Sequence, residues 1–570
     1  MVNSMKKLIK AKNTEFEQNA RTLAIIDTRQ RGGKPIMIDA DVLDEAIANG
    51  ELDALESIHS DKTVIPTKNI TANGTYKAKD EGADGYGELN VNVDDISRYM
   101  DTESVSTISS TTSDIGRWYL MIKRLKVTNL NCPLGSFFSG FKGTEIEGLS
   151  NPEIFSYNSY SSLNGAFKKC TNLTSLDLRA LPTHDTTDFS YIFSECSNLE
   201  NIDISTWDTS KSKKFTGMFN SCKKLKNINI PLTTTDDLLE IYSMFSGCNS
   251  LESVNLDNLN TSKVTSLNSL FSDCNVIQNI NINHFDVSKV TGLGYCFKNC
   301  KALTSLNLSS WETLSCKSFD STFYGCTNLK TLQIKNNFVS SVATSLSEMF
   351  YGCGLEELDF SNWNTSNVTT MSQMFKGSKF KKLDLSSFNV SKVTSGRWMF
   401  QACTDLEELN ISNWVLNAKH DFSNMFEDCK NLKTFICDNI DTTNINNVSM
   451  LFRGCNSIET LDLSNWNVSN ASNAEQVFAG CSNLKYLDIS SWDLTNAHYI
   501  NQFIGAMKLE FFDMRSMDFS NRTVNRNYFT IPDNCLVIVK DEAAKTFVLN
   551  CKNTLTNVMT AEEYEASLEV

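Results

Sequence analysis

No run of apolar residues in this chain reaches the length of a membrane span, about 20 residues, so insertion into a bilayer is not expected. Histidine is scarce. His59, His184, His284, His420 and His498 are the full set, and none lies near a cysteine or carboxylate at metal-ligand spacing. There is no G-x-S-x-G, no H-E-x-x-H and no glycine loop that would cradle a phosphate. These absences exclude the common hydrolase, zinc and nucleotide chemistries. A protein with no enzymatic activity, no cofactor and no metal is expected. Positive charge is in deficit: 52 Lys and Arg stand against 67 Asp and Glu, a formal charge of −15. Nucleic acid and anionic membrane surfaces are therefore not expected as partners. The opening MVNSMKKLIKAKNTEFEQNA has basic residues but no apolar core of a secretory signal, and no C-terminal anchor is read either. A bacterial surface adhesin would ordinarily carry both.

What the chain has is a period. A Phe recurs at 167, 193, 219, 245, 271, 297, 323, 350, 375, 400, 426, 452, 478 and 503, fourteen copies with a mean spacing of about 26 residues. With that Phe as position 0, position 3 is Cys in twelve copies, from Cys170 to Cys481. Ser378 and Met507 are read in its place in two others. Of the eighteen cysteines, Cys132, Cys296, Cys316, Cys437, Cys535 and Cys551 lie off that position and show no metal spacing. A site that accepts Cys, Ser or Met fits a small packed hydrophobe better than a disulfide, so free buried thiols are expected. Positions 6, 9 and 11 are apolar, as in Leu484, Leu487 and Ile489, and position 14 is often Trp, as in Trp207 and Trp311. An L-x-x-L-x-L stretch predicts a short strand with alternate residues inward. A run such as DTS or NVS follows, then an apolar i, i+3, i+4 pattern that predicts a helical turn. One such unit cannot bury its own apolar face, but stacked units can, which predicts a solenoid with parallel strands.

Residues 349–375, MFYGCGLEELDFSNWNTSNVTTMSQMF, carry the whole pattern. They match almost letter for letter the motif M-F-x-x-C-x-x-L-x-x-L-D-L-S-x-W-[DN]-[TV]-S-x-V-T-x-M. On those residues the chain resembles the BspA-like leucine-rich repeats, over about two-thirds of its length. The resemblance implies an adhesive or recognition surface. The fold class expected is α/β: a leucine-rich-repeat solenoid of about fourteen 26-residue repeats, with a small mixed α/β N-terminal region and a C-terminal strand-helix cap.

Outside the array, residues 1–60 read as a mixed attachment region, with TLAIIDTRQ as strand, GGKP as turn and DADVLDEAIANGELDALESI as helix. In 61–95, Asn73-Gly74 among alternating residues signals a β-hairpin module. TKNITANGTYKAKDEGADGYGELNVNV resembles a small β module of bacteriophage tail and baseplate proteins. Residues 96–115 hold a Ser/Thr-rich linker, ESVSTISSTTSD; 116–166 an N-terminal cap with a decayed repeat near Phe141; 167–528 the repeats; 529–570 the C-terminal cap.

Candidate binding residues lie on the outward strand position, position 10. It is Asp at 177, 203, 359, 384, 462, 488 and 513, Asn at 229, 255, 281, 307 and 410, Gln at 333, and Ile only at 436. Two readings are open: a side-chain hydrogen-bond ladder along the strands, or a polar binding face or weak cation stripe where aspartates adjoin. The adjoining sets are Asp359 with Asp384, and Asp462 with Asp488 and Asp513. Tyr486 and Phe511, at position 8 of successive repeats, should stack, either as a ligand platform or as packing against the C-terminal cap. The expected role is a phage virion structural protein of fibre, tail, baseplate or head decoration. Its N-terminal region would bind other virion proteins and its solenoid a host-surface glycan or protein. Fibres are often symmetric, so a homo-oligomer is compatible. The alternative is a BspA-like adhesin on a bacterial cell surface.

Overall fold

The structure, a computed structural model, describes six strands within residues 24–131, and residues 134–569 apart from 156–159, 232–234 and 418. The helix expected before residue 60 and the linker at 103–114 lie outside the described residues. The chain forms two compact units, Met1–Leu259 and Asn260–Val570.

In the first unit, β1 (Ala24–Ile26) pairs antiparallel with β2 (Ile36–Ile38). The hairpin expected around Asn73-Gly74 is present: β3 (Lys68–Ile70), β4 (Gly74–Lys79) and β5 (Tyr86–Asn92) form an antiparallel meander. Its last strand then pairs parallel with β6 (Arg124–Asn131), and β6 pairs parallel with β7 (Glu145–Glu147). The meander thus shares a sheet with the strand that leads into the first coil. That coil is better preserved than its sequence suggests. Phe138, not Phe141, takes the ring position and stacks on Phe167 at 5.0 Å, while Phe141 fills the thiol position. Coil strands follow in parallel pairs, Ser175–Asp177 with Asn201–Asp203 and Asn227–Asn229 with Ser253–Asn255.

The second unit repeats the coil from Phe271 to Phe503. Three of its strands, Lys382–Asp384, Glu408–Asn410 and Thr434–Ile436, form one parallel sheet. Five more, Thr460–Asp462, Tyr486–Asp488, Phe511–Asp513, Leu536–Val539 and Val558–Thr560, form another. Beyond the repeats come α1 (Glu542–Cys551) and α2 (Ala561–Leu568), the only α-helices among the described residues. Asp541 caps the first, and a Thr560–Glu563 capping box starts the second.

Within each unit the core is a column of rings. Phe167, Phe193, Phe219 and Phe245 stack at 5.4–5.8 Å in the first. In the second, Phe297 lies 5.7 Å from Phe323 with 2° between planes, and Phe375 lies 5.5 Å from Phe400 with 3°. Ten of the twelve thiols in position 3 donate to the Phe carbonyl of the preceding coil, as Cys196 Sγ does to Phe167 O at 3.0 Å and Cys326 Sγ to Phe297 O at 3.1 Å. The residue needed is small, apolar and a weak donor, which is why Cys recurs. Every described cysteine is free and buried. At the last repeat the sequence reading needs correction. Ala506 holds the buried site, three residues after Phe503, whereas Met507 is 64% exposed. Tryptophans at position 14 close the coil, and the indole N–H of Trp207, Trp311 and Trp414 donates to the preceding coil, Trp311 Nε1 to Ile282 O at 3.0 Å.

The segment expected to be helical is not. Around Phe219, the amides of Phe215, Gly217, Phe219 and Ser221 donate to Glu240, Tyr242, Met244 and Ser246 of the next coil. Those of Met218, Asn220 and Cys222 donate three residues back, to Phe215, Gly217 and Phe219. Alternate peptides serve the neighbouring coil and the local turn, so each is satisfied without a helix. The geometry needs two left-handed residues per coil, Gly217 (φ 56°) and Ser221 (φ 62°) here. Phe215, Met218 and Phe219 are all buried, so the i, i+3, i+4 spacing is real, but it serves a double turn.

One row of the second unit alternates in charge from coil to coil: Lys330, Glu356, Lys381, Glu407, Lys433, Glu459, Lys485 and Glu510. Glu356 is bridged by Lys330 at 3.3 Å and Lys381 at 2.5 Å, Glu407 by Lys433 at 2.8 Å, and Glu459 by Lys485 at 2.7 Å.

Candidate functional site

The outward strand positions resolve into a turn chemistry. Oδ1 of Asp359 accepts the Ser361 amide at 2.9 Å, that of Asp384 the Ser386 amide at 3.0 Å, and those of Asp462 and Asp488 the Ser464 and Ser490 amides at 2.9 Å. Asn255, Asn307 and Asn410 accept in the same way from Asp257, Ser309 and Ser412 at 3.0 Å. Each is an Asx turn that ends the strand. The DTS and NVS runs form the next corner by the same bond, as Asp286 does with Ser288 and Asn467 with Ser469. Asp or Asn recurs because either carbonyl-type oxygen can accept. The amide bond to Ser361, the largest influence, holds the Asp359 carboxyl below the usual carboxylate range.

The three C-terminal aspartates are nevertheless neighbours. Asp462 is in register with Asp488, and Asp488 with Asp513. Asp359 and Asp384 stand apart from them, Asp384 in the other sheet beside Asn410. Asp513 does not extend the row outward as expected. It is 2% exposed, and Arg515 grips it through Nη2 at 2.7 Å and Nε at 3.0 Å. Arg515 also reaches Glu565 of α2 at 2.9 Å.

The expected ring stack is present. Tyr486 and Phe511 lie 4.7 Å apart with 6° between planes, and Phe511 then meets Tyr564 of α2 at 6.0 Å and 56°. The stack is closed at one end by the cap and open at the other, where Tyr486 is 36% exposed. Partial burial, then the charges of Asp488 and Asp462, push the Tyr486 hydroxyl up to about 12, so at neutral pH it is a proton donor, 3.4 Å from Asp488 Oδ2. Arg515, Tyr564 and Glu565 were missed by sequence reasoning, because the cap lies outside the repeat. The arrangement offers a ring edge beside two carboxylates, suited to hydroxyl or amide donors. Among the described residues no group of three or more His, Cys, Asp or Glu could hold a metal ion, and no helix is long and apolar enough to cross a membrane.

A leucine-rich repeat protein from Bacteroides ovatus is 14% identical, over 82% of this chain and 98% of its own, with a TM-score of 0.37. One from Eubacterium ventriosum is 14% identical, over 74% and 96%, with a TM-score of 0.31. Comparison with the curated proteins finds no match. Residues 161–254, 239–354, 323–437 and 420–535 match the family described as "Mycoplasma protein of unknown function, DUF285". These overlapping matches take in well over half of the chain, which therefore belongs to that family.

Proposed function

We propose that this leucine-rich-repeat protein is a recognition or adhesion protein that presents its coils to a partner and performs no catalysis. One observation carries the reading. The inward positions repeat nearly the same residues in every coil, and the outward corners are committed to Asx turns. The other outward positions, such as the first residue of each strand with Ser175, Asn201, Lys382, Glu408 and Tyr486, vary freely. Such a surface can be fitted to a ligand one coil at a time.

Two settings are supported. The resemblance of residues 61–94 to phage tail modules supports a virion protein anchored through its N-terminal region. The resemblance of residues 349–375 to BspA-like repeats supports a bacterial cell surface equally well, and the family's description, which is of Mycoplasma proteins, fits a bacterial source. Labelled full-length protein should bind intact bacteria saturably, and antibody gold on cells and on phage particles should mark one of the two. Absence of saturable binding to any cell tested would remove the recognition reading. Gold on neither cells nor particles would remove both settings.

A further inference from the structure

The turn segments of five successive coils carry a row of rings and cations that the strand face lacks. Tyr295 is 43% exposed. Lys298 places its ammonium 5.1 Å from the Tyr295 ring and 4.9 Å from that of Tyr324. Tyr324 stacks on Tyr351 at 4.4 Å and 16°. Lys376 lies 5.5 Å from both Tyr351 and Trp398, and the Arg397 guanidinium sits 3.9 Å over Trp398. The residues lie one place after the column Phe and two places before it, with Arg397 three before. All belong to the double turn, so the row is built by the fold's own register. The first unit has a short version, Lys168 at 5.1 Å over Tyr191.

Two features set this row apart from ordinary surface. First, Tyr295 (φ 60°) and Trp398 (φ 57°) sit at a left-handed position that Gly217 fills in its own coil. A bulky side chain is less favourable there than glycine, so local stability does not select the rings. Second, the chain is acidic overall, yet the row carries three cations. Two carboxylates stand in the same turns: Glu348 is turned toward Ser321 at 2.7 Å and Gln373 at 3.4 Å, and Asp320 accepts from Ser318 Oγ at 2.9 Å and the Ser347 amide at 3.1 Å. Lys298 and Lys376 are three coils apart, about 14 Å at ordinary strand spacing.

We propose that this row is a binding track for an acidic polysaccharide, which deepens the recognition reading and rests on it. The rings hold the cations in fixed places by cation–π contact, and the cations meet the polymer's carboxylates. The phenol hydroxyls of Tyr295, Tyr324 and Tyr351 complement its hydroxyl groups. Single-stranded nucleic acid is the other polyanion such a row could attract, but it needs open ring faces for base stacking. Here Tyr324 and Tyr351 cover each other, and cations cover Tyr295 and Trp398.

The test is titration of the full-length chain with polygalacturonate, neutral dextran and oligothymidylate. Polygalacturonate should bind in a salt-sensitive manner, and the Lys298→Gln/Lys376→Gln/Arg397→Gln variant should lose on the order of tenfold in affinity with unchanged thermal stability. Trp398→Gly, placed where glycine is favoured, should keep or gain stability and still weaken binding. Equal binding by the triple variant, tighter binding of oligothymidylate, equal binding of dextran, or no binding of polygalacturonate would each overturn the track. Cell binding by the same proteins separates the two claims. If wild type and triple variant adhere alike, the track falls and recognition stands. If neither adheres, the recognition reading itself falls.

Discussion

Asp462 accepts the Ser464 amide, and that bond does not require a charge. Asn stands at the equivalent place in five other coils. Asp462→Asn should therefore leave thermal stability nearly unchanged, whereas Asp462→Ala should cost about 1 kcal/mol for the lost turn bond. If Asn destabilises as much as Ala, the Asx account is wrong. The same bonds set an acid limit. Asp177, Asp286 and Asp359 are held below the ordinary carboxylate range, by Arg179, Ser288 and Ser361 respectively. A depressed folded value contributes stability that is complete above the unfolded value and is lost as pH falls through the folded one. The melting temperature should be flat from neutrality to about pH 5 and fall below about pH 4. A melting temperature that rose on acidification would contradict these assignments. The turn role was hidden in the sequence because an Asp in an L-x-L-D pattern reads equally as an outward strand residue and as the residue that ends the strand. Only the Ser two places on, in Asp359-x-Ser361 or Asp462-x-Ser464, hinted at the second.

At the scale of the coil, the period, the ring column and the thiol site were legible because fourteen copies align themselves, so one atypical copy cannot obscure Phe at 0 or Cys at 3. The double turn was not legible. Phe215, Met218 and Phe219 have the spacing of a helix face, and no Gly or Asn is obligatory at the left-handed residues, which are Tyr295 in one coil and Gln373 in another. The alternating row from Lys330 to Glu510 was in plain view at 25–26-residue intervals, but its meaning appears only once coils are stacked. Deleting residues 401–426 removes one coil and brings Lys381 against Lys433. Deleting 401–452 removes two and brings Lys381 against Glu459. The one-coil deletion should gain stability with added salt, since screening relieves a like-charge contact, and the two-coil deletion should not. Identical salt responses would show that the row is decoration.

For the molecule as a whole, burial pushes nine of the ladder thiols up, those of Cys248, Cys353 and Cys481 to about 12, while Cys403, despite its burial, is held below its ordinary value by hydrogen bonds with Cys429 and Ser378. All of them are closed off from solvent in the folded coils. Iodoacetamide should therefore leave the ladder unlabelled under native conditions and label each cysteine at the rate its own coil opens, with terminal coils ahead of central ones. Uniform rapid labelling at neutral pH would contradict the burial seen here. The C-terminal closure by Arg515, Tyr564 and Glu565 had no counterpart in the repeat, so nothing in the periodic sequence announced it. The charge row has a further consequence for heredity. Coding repeats that share one register invite unequal crossing-over, which adds or removes whole coils. An odd step leaves two like charges facing at the junction, and an even step leaves none. Lineages of this gene should therefore drift in length by pairs of coils, and an odd-numbered descendant should carry a charge reversal close to the seam.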